Sequence, residues 1–265
     1  VLRAVLDDPA QAAFHSAALN GLISANANEA TKRIFKTLES AKTPEEAAPS
    51  LQVLLGRAEG GGAMQRALQQ PDALSPAAAK ITLQALNRIG RGDPKLSTPL
   101  MKLAGINAAL PVYTKEYVSN LVKAAQTFGN AEEGKKVFER TGCIACHMPG
   151  APQSKIGPDL SAISRGMPVD MIIAEIVWPS LNVKEGYEAA IVTLKDGSVV
   201  TGFKQTETAD SISVREAATG EIRAIPRASA ATIQTGGTIM PDGLTAGMDE
   251  AQLAHLVRYL MSLGG

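Results

Sequence analysis

Along the first 127 residues the apolar positions recur three and four apart, the spacing that gathers them on one face of an α-helix. Asp8-Pro9 reads as a cap followed by a first-turn proline, and Phe14, Ala18, Leu19, Leu22 and Ile23 make the stripe that follows. A second helix is predicted from about Glu29, with Ile34, Phe35 and Leu38 turned inward. Thr43-Pro44-Glu45-Glu46 has the form of a capping box with proline at the first helical position, and it opens a segment carrying Leu51, Val53, Leu54 and Leu55. Gly60-Gly61-Gly62 predicts a break before Met64 and Leu68. Ser75-Pro76 opens a further helix with Ile81, Leu83, Ala85, Leu86 and Ile89 on its stripe. Asp93-Pro94 and Ser97-Thr98-Pro99 punctuate the chain before Leu100, Met101 and Leu103. A last helix of this half begins near Tyr113 and carries Val118, Leu121 and Val122.

Short helices in succession predict an α-solenoid of HEAT type over residues 1–127. The repeat length wanders, so a plain irregular helical domain stays open beside it. From residue 128 the pattern changes twice. A helix from Ala131 to Arg140 places Gly134, Val137 and Phe138 on one face and stops at Thr141-Gly142. After the helix that ends near Glu175-Ile176-Val177, the period drops from helical to two. Ala190, Val192 and Leu194 alternate with Ile191 and Thr193, and Asp196-Gly197 is a hairpin signal. Val199, Val200, Thr201 and Phe203 form the return strand. Ile212 to Val214, Glu221 to Ile225 and Ala231 to Gln234 predict more strands, with a turn at Thr219-Gly220. Asp249 or a neighbour caps a final helix through Leu253, Leu256, Val257, Leu260 and Met261. The expected architecture is therefore mainly α: a helical domain over 1–127, and a second helical domain over 128–265 with an antiparallel β insertion at about 187–235.

Composition narrows the function classes. The chain has 265 residues and no net charge. Residues 1–127 carry 14 Lys/Arg against 10 Asp/Glu, and residues 128–265 carry 12 against 16. That mild asymmetry either helps dock the halves or orient a partner, or is ordinary solvated surface. The basic residues are dispersed and lack interleaved aromatics, which argues against nucleic-acid binding. No apolar run approaches the length of a membrane span. Glu132-Glu133 and Asp249-Glu250 sit at helix starts, where the helix dipole accounts for them. His15 has no carboxylate or cysteine one turn away, and the triple glycine lacks the Lys-Ser/Thr of a phosphate loop.

Both cysteines lie in Cys143-Ile144-Ala145-Cys146-His147, a C-x-x-C-H sequence. This is the attachment signature of c-type haem. Two cysteines three apart can each bond a haem vinyl carbon, and the next residue then lies under the iron as a nitrogen ligand. With both cysteines used, no disulfide framework and no cysteine-rich zinc site remain. One covalent haem c is expected, held by Cys143, Cys146 and His147. Haem c is attached outside the cytoplasm. A periplasmic or otherwise extracytoplasmic location follows, with an export signal removed or carried by a longer parent chain.

The residues around the motif resemble a class I cytochrome c. Gly134 and Phe138 match the small and aromatic positions of the first helix of that family, and Tyr259-Leu260 match those of the last, which crosses it. Ile156-Gly157-Pro158-Asp159-Leu160 resembles the segment whose proline carbonyl accepts a hydrogen bond from the ligating histidine, a role the resemblance gives to Pro158. Methionine candidates for the opposite face of the iron are Met148, Met167, Met171, Met240, Met248 and Met261. Met148 adjoins His147, and Met171 and Met261 have helical spacing. The resemblance implies Met240, in the irregular loop Thr238-Ile239-Met240-Pro241-Asp242-Gly243-Leu244 ahead of the last helix. Met167, Met248, His255 and an open site remain alternatives.

The order of segments is more specific still. G-x-x-V-F at Gly134, C-x-x-C-H, I-G-P-D-L, W-P-S at Trp178, K-D-G-S-x-x-x-G at Lys195, M-P-D-G-L and a terminal Y-L resemble the haem-binding domain described from planctomycetes and verrucomicrobia. The likeness covers roughly half the chain and departs at Trp178, where that family usually has aspartate. It implies a domain that commonly ends a longer secreted protein and follows helical repeats. It also implies an electron donor such as a sugar or alcohol dehydrogenase domain of the same parent chain. Arg165, the Tyr187 hydroxyl and the Trp178 indole N–H are candidate partners of the haem propionates, or else ordinary surface and core. The expected function is one-electron transfer with His147 and Met240 as axial ligands, an electron carrier and not an enzyme by itself. Two other readings stay open. One is a haem peroxidase or gas sensor with a displaceable sixth site. The other is a partner- or glycan-binding module in which haem is secondary.

Overall fold

Helix caps legible in the chain set most of the element boundaries. The computed structural model describes residues 1–91, 93–106, 110–149 and 156–264. Helix α1 (Leu2–Asp7) leads through a 3-10 turn at Pro9–Phe14 into α2 (His15–Ser40). Phe14, expected on the buried stripe, falls in that turn and is 62% exposed. α2 merges the two helices predicted there. They meet at Asn26, which leaves helical geometry at φ −157° and ψ 81°, and whose Oδ1 accepts the Glu29 N–H at 3.1 Å. A side-chain cap inside the run restarts the helix without a loop.

Helix α3 (Pro44–Leu55) is capped by Thr43, whose hydroxyl accepts the Glu46 N–H at 3.3 Å. Helix α4 (Ala58–Ala67) runs straight through the triple glycine, where a break is expected from the sequence. A Cβ on Gly60 would lie 2.0 Å from the Leu54 carbonyl oxygen, so glycine here lets α4 pack against the end of α3. Helices α5 (Pro76–Arg88) and α6 (Pro94–Leu103) take caps from Ser75 and Asp93. Ile23, Ile34, Leu38, Leu51, Leu54, Met64, Leu86 and Leu100 are buried together in the core of this part.

Helix α7 (Lys115–Thr127) belongs by position to the first half, but it packs into the core of the second. Val118, Leu121, Ala124 and Ala125 are buried with side chains of α8 (Ala131–Thr141), α10 (Val169–Val177) and α11 (Glu250–Ser262), the short α9 (Ile163–Gly166) lying between α8 and α10 in the chain. The boundary expected at residue 127 therefore cuts a shared core. Its cause is the stripe on α7, which has α10 and α11 as neighbours.

Between α10 and α11 the chain forms β1 (Ala189–Leu194), β2 (Val199–Glu207), β3 (Ser211–Glu216), β4 (Ile222–Pro226) and β5 (Ala230–Thr235). They make one antiparallel sheet in the order β4-β3-β2-β1-β5. Alternation buries Ala190, Val192, Val200, Ile212, Val214 and Ile225 on one side, as a strand period of two requires. With about 55% helix beside this sheet, the chain is mixed α/β where the pattern reads as mainly α. Among the described residues, no helix is long and apolar enough to cross a membrane.

The sheet is also tied to the first helices. The Gly197 carbonyl accepts the Ala58 N–H at 3.1 Å, the Val199 N–H donates to the Gly56 carbonyl at 3.0 Å, and the Arg57 guanidinium donates to the Asp196 carbonyl at 2.9 Å. The β1–β2 turn is thus seated on the α3–α4 junction. Arg91, just beyond α5, donates to both the Leu55 carbonyl and the Thr201 hydroxyl. Enclosure by protein lowers Arg91 to about 10, with Asp93 acting the other way, so it stays charged at neutral pH.

Candidate functional site

The C-x-x-C-H stretch begins where α8 ends. Gly142, at φ 88°, turns the chain out of the helix into a 3-10 turn at Cys143–Ala145. The His147 N–H then donates to the Cys143 carbonyl at 2.9 Å. Both thiols and the imidazole are thereby carried on one tight loop, and both cysteines are free thiols.

His147 Nδ1 lies 2.9 Å from the Pro158 carbonyl oxygen. A carbonyl can only accept, so Nδ1 carries the hydrogen and Nε2 keeps its lone pair. Burial lowers the His147 pKa, and the bond to Pro158 partly opposes it. The ring is consequently neutral at neutral pH. Gly157 completes the clamp. Its N–H donates to the Cys146 carbonyl at 3.0 Å, and a Cβ there would sit 2.6 Å from His147 Cε1. Pro158 is the residue the cytochrome resemblance singles out, and Gly157 beside it is what lets the backbone come up against the ring.

The thiols retain some exposed surface, yet protein atoms crowd them closely. Burial pushes Cys143 up to about 12 and Cys146 up to about 11. Almost no thiolate exists at neutral pH, and thiolate is the reactive form. Alkylation of the folded, haem-free chain by iodoacetamide at pH 8 should therefore run roughly a hundredfold or more slower than in the urea-unfolded chain. Equal rates, read by mass spectrometry, would mean that the motif is open to solvent.

The remaining candidates divide. Met240 follows buried Ile239 and is itself half-buried, its N–H donating to the Thr238 hydroxyl at 3.1 Å. Ile239 packs with Phe203 and Ala217, and Ile156 and Tyr187 pack against the same cluster. The segments leading into Pro158 and into Met240 thus share one small core. Among the other methionines weighed, Met148 and Met171 are over 40% exposed, and Met167, Met248 and Met261 pack against the helical core. His255 is engaged at the α8–α11 crossing, where its Nδ1 accepts the Asn130 N–H at 3.0 Å. Tyr187 lies edge-on to Phe203 at 5.2 Å, with the Arg215 guanidinium over both rings. Trp178 is set in the helical core, its indole N–H donating to the Pro111 carbonyl at 2.6 Å and its ring against Tyr113 and Tyr117. Arg165 donates to the Gly264 carbonyl.

Some contacts at the site have no signal in the sequence. Ser180 donates to the Asp242 carboxylate at 3.0 Å, joining the W-P-S segment to the Met240 loop. Met101 of α6 reaches beneath that loop, 3.1 Å from where a Gly243 Cβ would lie. From α5, the Gln84 side chain donates to the Arg140 carbonyl at 3.1 Å, and the Cys146 thiol donates to the Asn87 carbonyl at 3.4 Å.

Among the described residues, no three His, Cys, Asp or Glu side chains gather closely enough to hold a bare metal ion. No family model matches the chain, and no curated protein matches it.

Proposed function

We propose that this chain is a mono-haem c-type cytochrome that carries single electrons, and that its redox partner is another protein or a dehydrogenase domain of a longer parent chain. The observation that carries the reading is the His147–Pro158 hydrogen bond within a C-x-x-C-H loop. It leaves Nε2 unprotonated, with its lone pair available, the form in which imidazole binds a metal. The cradle at Gly157, which a Cβ would fill, fits the same role.

In this reading Cys143 and Cys146 hold the haem through thioethers, each S–H adding across a vinyl group. The crowding of both thiols by protein, which raises them, favours attachment before the loop closes. His147 and Met240 would supply the protein ligands to the haem iron. Met240 is favoured because it is committed neither to a core cluster nor to bulk solvent. When bound, the haem supplies a one-electron iron couple. Ligands on both faces leave no position for a substrate, which favours an electron carrier over a peroxidase or gas sensor. Trp178 and Arg165 already bond backbone carbonyls. Tyr187, beside Ile156 in the small core, is the better placed of the three propionate candidates. The second helical part then belongs with class I cytochromes c, and the first is a HEAT-like scaffold. Support for the scaffold comes from α2 to α6 packing mainly on near neighbours in the chain. An extracytoplasmic location accompanies covalent haem.

Produced with a haem-attachment system, the wild type should give a covalent haem c spectrum, and Cys143→Ala/Cys146→Ala should not. The oxidised wild type should show the near-infrared band of methionine–iron ligation and lose it in Met240→Ala. A haem-free wild type overturns the proposal, and a band that survives the substitution overturns the Met240 assignment.

A further inference from the structure

The loop that carries Met240 lies between β5 and α11, outside any helix or strand, yet it is held on both sides of Met240. One residue before it, buried Ile239 packs with Phe203 of β2 and with Ala217. Two residues after it, the Asp242 carboxylate accepts the Ser180 hydroxyl, which lies 3.1 Å from one oxygen and 3.0 Å from the other. Three residues after it, Gly243 rests on Met101 of α6. A Cβ there would lie 3.1 Å from the Met101 sulfur and 3.4 Å from its Cε. Further on, a Cβ on Gly247 would come to 3.9 Å from Ile106, just past the end of the same helix. Supports from the sheet, from the α10–β1 link and from the first half of the chain thus converge on one short loop.

Burial follows these supports. Ile239, Pro241, Gly243 and Thr245 are buried, whereas Met240, Asp242, Leu244 and Ala246 are only partly so. Every second residue seats the loop, and Met240 is not among the seated ones. Met101 is itself buried, so its side chain is committed to packing rather than to solvent. Gly243 has φ 83°, a conformation that favours glycine, and its missing side chain is what admits the Met101 sulfur. A segment without helix or strand hydrogen bonds keeps one conformation only through contacts of this kind, and it opens locally when they are lost.

We propose that Met101 and Ser180 are positioning residues for Met240. They act through Gly243 and Asp242, holding the loop so that the Met240 thioether keeps its place and resists replacement by other ligands. The first half of the chain thereby takes part in the site through α6. This inference rests on the cytochrome reading above.

The test uses the full chain as wild type, Met101→Ala, Met101→Leu and Ser180→Ala. In the haem-free protein, hydrogen exchange read by mass spectrometry is compared between the Met240 loop and helices α2 to α5. In the oxidised, haem-loaded protein, imidazole is titrated as a probe that competes with methionine. Met101→Ala should speed exchange selectively in the loop and raise imidazole affinity roughly tenfold or more, because the space opened beneath Gly243 frees the loop. Ser180→Ala should act in the same direction by about two- to fivefold, the effect of one hydrogen bond. Met101→Leu, which conserves volume, should match wild type in both measurements. Wild-type exchange and imidazole affinity in both alanine variants overturn the inference while leaving the cytochrome reading intact. Exchange that rises equally in the loop and in α2 to α5 also overturns it, since that marks a general loss of stability. Loss of the methionine–iron band in Met101→Leu overturns it too, because Met101 would then be the ligand and not its support. Should Met101→Ala fail to fold, Ser180→Ala decides by the same criteria. A wild type without covalent haem overturns the cytochrome reading and this inference with it.

Discussion

Gly134→Ala should destabilise the chain by about 3 kcal/mol or more, at or above the upper end of ordinary overpacking. The reason is local and severe. The added Cβ would sit 1.9 Å from the His255 carbonyl oxygen and 2.7 Å from the Tyr259 Cβ. Both contacts are on α11, the principal packing neighbour of α8. Neither is the movable tip of a long side chain, so the helices must separate. Phe138 and Tyr259, edge-on at 5.4 Å across the same crossing, would lose their contact as well. Urea titration followed by fluorescence measures this directly. The single tryptophan, Trp178, lies in the core that the crossing closes. A midpoint indistinguishable from wild type would mean that the two backbones do not meet so closely.

The second large effect is expected at Gly157→Ala. Its Cβ would lie 2.6 Å from His147 Cε1, 2.7 Å from Nδ1 and 2.8 Å from the Cys146 carbonyl oxygen. The imidazole must turn away, and the bond to Pro158 must break or lengthen. A buried ring nitrogen that loses its partner costs roughly 1–3 kcal/mol. In the haem-free protein, nitrogen NMR should report the Nδ1–H tautomer of His147 in wild type and a mixture of tautomers in the variant. If the proposed haem is bound, the same substitution should also change its optical spectrum. An unchanged tautomer would show that the ring does not depend on the close approach of residue 157.

The two substitutions probe features of different visibility. Gly134 was legible as one member of a helical stripe together with Val137 and Phe138, because helix periodicity is written within eleven residues of chain. Pro158 was legible only through resemblance, since nothing in a Gly-Pro-Asp-Leu stretch says which histidine its carbonyl will meet. Asn87 was barely legible. Its contact with Cys146 spans 59 positions, and polar residues inside helices are common. Arg57 and Asp196, joined across 139 positions, carry no mutual signal at all.

The caps at Thr43, Ser75 and Asp249 and the strand alternation from Ala190 onward depend on interactions within a few residues, so the sequence by itself determined them. The same holds for the C-x-x-C-H loop, which follows directly from the stop at Gly142. Where helices end, where strands alternate and which loop carries the thiols and the imidazole are all local questions. Tertiary structure alone decided that α4 continues through three glycines and that α7 shares its core with α10 and α11. It alone seated the β1–β2 turn on the α3–α4 junction and brought α5 against Cys146. Those outcomes depend on which apolar faces find each other and on which backbone atoms then come within hydrogen-bond reach. Short-range periodicity identifies a face that must be buried, and the partner that buries it lies far along the chain.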